Sequence, residues 1–501
     1  MTQWLILLPI ALFLAVLVAM TIVSERQPKK THFAGDYFLG DRSLQGFVLA
    51  MTLVATYGSV SSFVSGPGIA WQLGLGWVVF AAPQIIAGFL ILGVAGKKMA
   101  IVSRAAGAIT VVDLIRARFG DSKLATFLAD GLALLTLIFF TTMMVGQFIG
   151  GATIFSKAAE LDYTTGLLLF GLVTVLYTAF GGFRAVAVTD TVCAVLMLIG
   201  MGALAWVILD AGGSLANIMA EVAAVAPKGP ESAGSLLTPT AGGALGIPLL
   251  LSAWILVGFG TLGLPQSAVR CMSYKRSSDL HLAMIVSTVV CGALMIGMTT
   301  LGVLARGVLT VPLSEIGPTT DSVIPYLIAH YMNPVTAGIC LIGPIAATMS
   351  TVSSLLLAAS SAIVKDLLLR RAPQLRCDEK RLARFTRALT GALGLLALIL
   401  AVKPLDVVAW INMFAFGGLE LAILLPLIGG LFWRRATAAG ALASVVGGMA
   451  VYLAVSILKI PVGGFHAIVP GMIAAIVLFV AVSVMTKPSP QKALDLFFPR
   501  T

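Results

Sequence analysis

Between Met51 and Pro67 the chain reads MTLVATYGSVSSFVSGP, with Thr56, Ser59, Ser61 and Ser62 gathered around Gly58 in an otherwise apolar run. A helix interrupted at bilayer depth frees amides and carbonyls, and such a break survives only where protein covers it or it lines a cavity. Interrupted helices form the substrate and ion sites of secondary transporters, although small residues also serve as a close-packing face. A second set of hydroxyls lies in GPIAATMSTVSS, where Ala347 and Thr351 fall one turn apart with Ser350 beside them. Two adjacent hydroxyls and freed carbonyls make an all-oxygen cage suited to a monovalent hard cation such as sodium, since a divalent ion would demand carboxylates. The alternative is that both hydroxyls bond back to carbonyls of their own helix. Glu420, after Gly417 and Gly418, is an acid inside an apolar run, where its cost implies either a pairing or a role. Two readings stay open for it: a second cation or proton site, or a structural hydrogen bond.

The elements that must position these groups are membrane helices. With 501 residues, 59% hydrophobic and 11% charged, and a mean hydropathy of +1.03, the chain carries far more apolar sequence than a soluble core uses. It is expected to be an all-α polytopic membrane protein with about thirteen spans, near 3–23, 45–71, 75–96, 124–155, 163–180, 185–208, 243–268, 280–305, 333–364, 385–402, 407–432, 437–457 and 466–486. The run from Trp4 to Val23 lacks the basic start of a signal peptide and reads as a retained helix. With this count, 27 of the 32 Lys and Arg fall on one side, which places the N-terminus outside and the C-terminus in the cytoplasm. The net charge of +11 then faces anionic lipid and calls for no nucleic acid.

Short helices are expected around Ser214 to Ala224 and Val323 to Tyr331. The cysteines Cys193, Cys271, Cys291, Cys340 and Cys377 show no CxxC pairing and read as free thiols. No span carries a His/Glu metal set, a GxSxG elbow or paired acids, which disfavours a membrane enzyme, and no obligatory protein partner is evident. Spans 2–6 (about 45–208) and 7–11 (about 243–432) number five each, and an odd-numbered unit duplicates upside down. Each set opens on a glycine-interrupted helix, the second through Gly258, Gly260, Gly263 and Pro265. A single transporter domain follows, with peripheral helices at 3–23, 437–457 and 466–486.

DYFLGDRS before span 2, GGFRAVAVTD entering span 6, LPQSAVRCMSYK closing span 7, MST at 349–351 and FAFGGLE in span 11 together resemble the sodium/solute symporter family, over about Asp36 to Val484. The resemblance implies a LeuT-type 5+5 inverted-repeat core, a bacterial cytoplasmic membrane and co-transported sodium. It implies a sodium site built from the carbonyls of Ala55, Gly58 and Ala347 and the hydroxyls of Ser350 and Thr351. The implied cargo is pantothenate or a similar small organic anion, taken up by alternating access; a monocarboxylate, proline or a sugar are the alternatives within the family. Asp190 matches a family acid on the ion's cytoplasmic exit, or else caps its helix or pairs with Arg184. No Lys or Arg is expected at a span centre, so the anion is expected at half-helix amides near Ser59 to Ser62. Candidate contacts are Tyr57, Ser61, Ser62, Gln147, Trp254, Thr261 and Asn412. For each polar one, an interhelical hydrogen bond is the alternative.

Overall fold

A computed structural model describes residues 2–25, 32–158, 160–227, 230–403 and 407–499, and every regular element longer than an isolated bridge among them is helical. The expected outer and inner charges Arg26, Lys29, Lys30, Lys228 and Arg500 lie outside the described residues, as does the side chain of Cys377. The other four cysteines are buried and free.

The apolar helices, in order, are α1 (Thr2–Glu25), α2 (Gly46–Tyr57), α3 (Ser61–Leu73), α4 (Leu75–Ala106), α5 (Lys123–Ala158), α6 (Tyr163–Gly212), α7 (Ile247–Gly263), α8 (Pro265–Ser273), α9 (Ser277–Val308), α10 (Pro334–Arg371), α11 (Glu379–Leu400), α12 (Val408–Phe432), α13 (Ala438–Leu458) and α14 (Ile468–Met485). Ten are long and apolar enough to cross a membrane, and the bent pairs α2–α3 and α7–α8 raise this to twelve. The remaining difference from the expected thirteen lies in α6. As a straight rod its 50 residues would run about 75 Å at 1.5 Å per residue, far beyond a hydrocarbon core of about 30 Å. It is not straight, because Gly182 sits at φ 65°, ψ −175°. A Cβ there would lie 2.9 Å from the Tyr37 ring, so both conformation and space demand glycine. The expected boundary between residues 180 and 185 falls on this break.

Burial sorts the helices. The apolar window of α10 is 94% buried, whereas those of α1, α13 and α14 are 28–33% buried. The most enclosed helix is therefore the one carrying Ala347, Ser350 and Thr351, and it packs extensively on α5 and α6. The two expected short helices occur as Leu215–Ala224, capped by the Ser214 hydroxyl, and Val323–Tyr331.

Candidate functional site

The first break begins where Gly58 leaves the helical region at φ −68°, ψ 118°, and α2 and α3 meet at 66°. In an unbroken helix the amide of Ser59 would reach the Ala55 carbonyl; here it turns to Ser62 Oγ at 3.5 Å, and the Ala55 carbonyl is released. Ser350 Oγ donates to it at 2.9 Å, and Thr351 Oγ1 donates to the Gly58 carbonyl at 3.0 Å. Both hydroxyls also reach the Ala347 carbonyl of their own helix, at 3.1 and 2.9 Å. Back-bonding and bridging to the break thus coexist, and the five expected oxygens form one buried cluster between α10 and the end of α2. The freed Val60 amide donates to Gln147 Oε1 of α5 at 3.0 Å.

Beside this cluster a narrow, partly open cleft of about 80 Å³ is lined by Tyr57, Ser59, Ser61 and Ser62 from the break. Trp77, Phe80 and Gln84 of α4, Met295 and Thr299 of α9, and Asn412 and Phe416 of α12 face them. Trp77 stacks on Phe80 at 4.4 Å and meets Trp410 edge-on at 5.8 Å, giving one aromatic wall. Asn412 Nδ2 donates to Ser61 Oγ, leaving its buried Oδ1 without a partner. Tyr57 donates to the Val257 carbonyl at 2.9 Å, tying the two broken spans across the cleft. None of the lining residues carries a formal charge.

Of the seven expected substrate contacts, Tyr57, Ser61, Ser62 and Asn412 line the cleft and three do not. Gln147 turns its carbonyl oxygen to the break and acts as a brace for the backbone. Thr261 is buried and caps the Gly258 carbonyl at 2.6 Å. Trp254 is 45% exposed on the outer surface of α7 against Phe259, an apolar ring turned toward lipid. Sequence reasoning missed the aromatic wall of Trp77 and Phe80, whose WxxF spacing puts both rings on one helical face.

Asp190 does not pair with Arg184. Its Oδ2 accepts from Thr52 Oγ1 at 2.6 Å and from Arg270 Nη2 at 3.3 Å, and both members of the ion pair are buried. This corrects the expectation that span 7 ends near residue 268 with Arg270 in the inner loop beyond it. Arg270 also reaches Thr52 Oγ1 and Ser354 Oγ at 2.9 Å each, and the Gln266 carbonyl at 2.6 Å. Ser354 in turn contacts Thr56 Oγ1 at 3.0 Å, one residue from the Ala55 carbonyl. The signal lay in the spacing: Gln266 and Arg270 stand one turn apart on a helix whose only other side chains are small, apolar or thiol-bearing, so both fall on one inward face. Asp130, in the first turns of α5, pairs with Arg370 and Arg371 at 2.8 and 2.9 Å.

Residues 37–448 match the model of the sodium:solute symporter family. The chain is 42% identical to the sodium/pantothenate symporter of Escherichia coli (strain K12) and 39% identical to that of Haemophilus influenzae, in each case over 95% of both chains. A solved sodium-coupled sialic acid symporter, substrate-bound and outward-open, superposes with a TM-score of 0.76 at 17% identity, over 98% of this chain and 99% of that one. MhsT in complex with L-phenylalanine superposes at 0.53 with 16% identity, over 87% and 98%. At such identities the likeness speaks for the fold alone.

Proposed function

The chain belongs to the sodium:solute symporter family, and from that premise we propose that it carries pantothenate inward with sodium by alternating access. It is an integral membrane protein, read as residing in a bacterial cytoplasmic membrane with its N-terminus outside and its C-terminus inside. If the two limbs of α6 on either side of Gly182 count as separate spans, there are thirteen. They fall into two five-span repeats of opposite insertion, one helix before them and two after, as in LeuT-type transporters.

The observation that carries the reading is the buried five-oxygen cluster at the first break. Hydroxyls can turn their protons outward and present lone pairs, so Ala55, Gly58 and Ala347 carbonyls with Ser350 and Thr351 would hold one sodium. Because three of the ligands belong to α10 and two to the end of α2, a cation there would fasten the mobile break to the most enclosed helix. That favours one arrangement of the adjoining cleft, and by linkage substrate and sodium strengthen each other's binding equally.

The cargo is an anion, and the cleft offers it no cation. Its carboxylate would instead meet the amino end of α3, where the helix dipole favours negative charge, with Ser61, Ser62 and Asn412 supplying polar contacts. The amide and hydroxylated carbon chain of pantothenate match the mix of hydroxyl, amide and aromatic wall. Uptake of labelled pantothenate by proteoliposomes, with and without an inward sodium gradient, tests the proposal. Sodium-dependent accumulation blocked by excess unlabelled pantothenate but not by proline, lactate or glucose is expected; block by one of those solutes instead would reassign the cargo.

A further inference from the structure

Glu420 lies in the middle of α12, fully buried, and neither of its carboxylate oxygens has a hydrogen-bond partner among the described residues. Buried polar groups are nearly always paired, and a carboxyl left alone in a membrane core is costly in either protonation state. The group faces the second break. Gly258 stands at φ −106°, ψ −100°, Phe259–Gly263 wind on as a tighter 3-10 turn, and Leu264 is extended before α8 begins at Pro265. A Cβ on Gly260 would sit 2.3 Å from Glu420 Oε2 and 2.4 Å from the Ile255 carbonyl oxygen, so glycine alone lets the acid lie against this backbone. Glu420 Oε2 and the Ile255 carbonyl oxygen thus border the same spot beside Gly260.

The titratable groups that sense Glu420 are Tyr57 on α2 and Tyr452 on α13. Both hydroxyls are committed elsewhere, to the carbonyls of Val257 and Phe414 at 2.9 and 2.8 Å. Asp190, another acid buried within a span, has Arg270; Glu420 has no such partner among the described residues. What the site lacks is a single positive charge. The cleft is close by, since Val257, three residues before Gly260, and Phe416, one turn before Glu420, line it.

Building on the pantothenate reading, we propose that Glu420 holds a second monovalent cation, sodium or a proton, against the broken backbone of α7, so that each cycle moves one net positive charge. The charges balance: sodium and pantothenate cancel, the ionised acid returns with the empty carrier, and the cation neutralising it travels inward with the cargo. The membrane potential then contributes to accumulation, which it cannot do for one sodium and one anion.

The test is charge moved per labelled pantothenate in proteoliposomes holding the full chain. Wild type is expected to give a ratio near one and several-fold faster uptake under an inside-negative potassium diffusion potential. In E420Q, whatever uptake remains is expected to be electroneutral and indifferent to that potential. Labelled sodium distinguishes the ions: two per pantothenate means sodium at Glu420, and one per pantothenate with vesicle acidification means a proton. Should E420Q not transport, cation counting on the purified proteins by labelled sodium and proton uptake decides, one fewer in E420Q supporting the proposal and equal counts overturning it. Electroneutral uptake by wild type, or an unchanged ratio in E420Q, overturns it as well. Absence of any sodium-driven pantothenate uptake by wild type would strike the transport reading instead.

Discussion

The two interrupted helices meet across the same cleft, yet they solve the same problem differently. At the first break each freed group has found a neutral partner: Ala55 and Gly58 carbonyls take Ser350 and Thr351, and the Val60 amide takes Gln147. At the second, Thr261 and Tyr57 satisfy the carbonyls of Gly258 and Val257, while an acid presses in with no counterpart. One break is a finished oxygen nest and the other is a carboxylate against backbone oxygens. The difference teaches that a shared interruption of the backbone does not impose shared chemistry, because the partners come from whichever helix faces the gap.

Substitutions can break or sharpen this contrast. The largest effect is expected from Arg270→Ala, which would strand Asp190 below the first break without its countercharge. Removing one partner of a buried ion pair costs about 3–5 kcal/mol, so the purified variant should unfold at markedly lower temperature, and Arg270→Ala with Asp190→Asn should recover part of the loss. An unchanged midpoint for the single variant would show that the pair is not structurally coupled. Next comes Thr351→Ala, which deletes one hydroxyl of the nest. At about 1–3 kcal/mol for the unmet partners, the sodium concentration for half-maximal uptake should rise roughly 5- to 100-fold, with about 1.4 kcal/mol per factor of ten; equal sodium dependence would sink the assigned cage.

Asn412→Ala should act on the cargo more than on the ion. We expect a several-fold higher KM for pantothenate at saturating sodium, with half-maximal sodium shifted less, and the reverse ratio would move Asn412 out of the substrate contacts. The smallest effect belongs to Trp254→Leu, since this outward-facing ring on α7 meets the Phe259 ring on the outer side of the second break. Uptake within about twofold of wild type is expected; a severe defect would mean that the outer face of the second break has a task unlike that of the first.

Much of the first break was legible because its chemistry is local. A Gly ringed by Ser and Thr in an apolar run marks an interruption, and hydroxyls at 350 and 351 one turn from Ala347 fix the shape of the nest before any partner is known. The boundary between residues 180 and 185 was legible from the interruption of the apolar run, although the glycine that makes the break was not singled out. What could not be read was direction. Trp254, Gln147 and Thr261 have the right chemistry for a cleft, but their exposure depends on how α7 and α5 rotate against their neighbours, which apolar composition all round a helix leaves unmarked. Arg270 was misread because it stands close to Lys275 and Arg276, and basic clusters ordinarily mark a membrane edge. Tertiary burial among Thr52, Asp190 and Ser354 overrode that rule.

The clasp between Asp190 and Arg270 joins residues 80 positions apart, one from each half of the polypeptide. During synthesis the acid emerges first and must wait for its guanidinium, so the amino-terminal half by itself would hold an unmatched anion in lipid. Closing the interior is thereby made conditional on synthesis past residue 270.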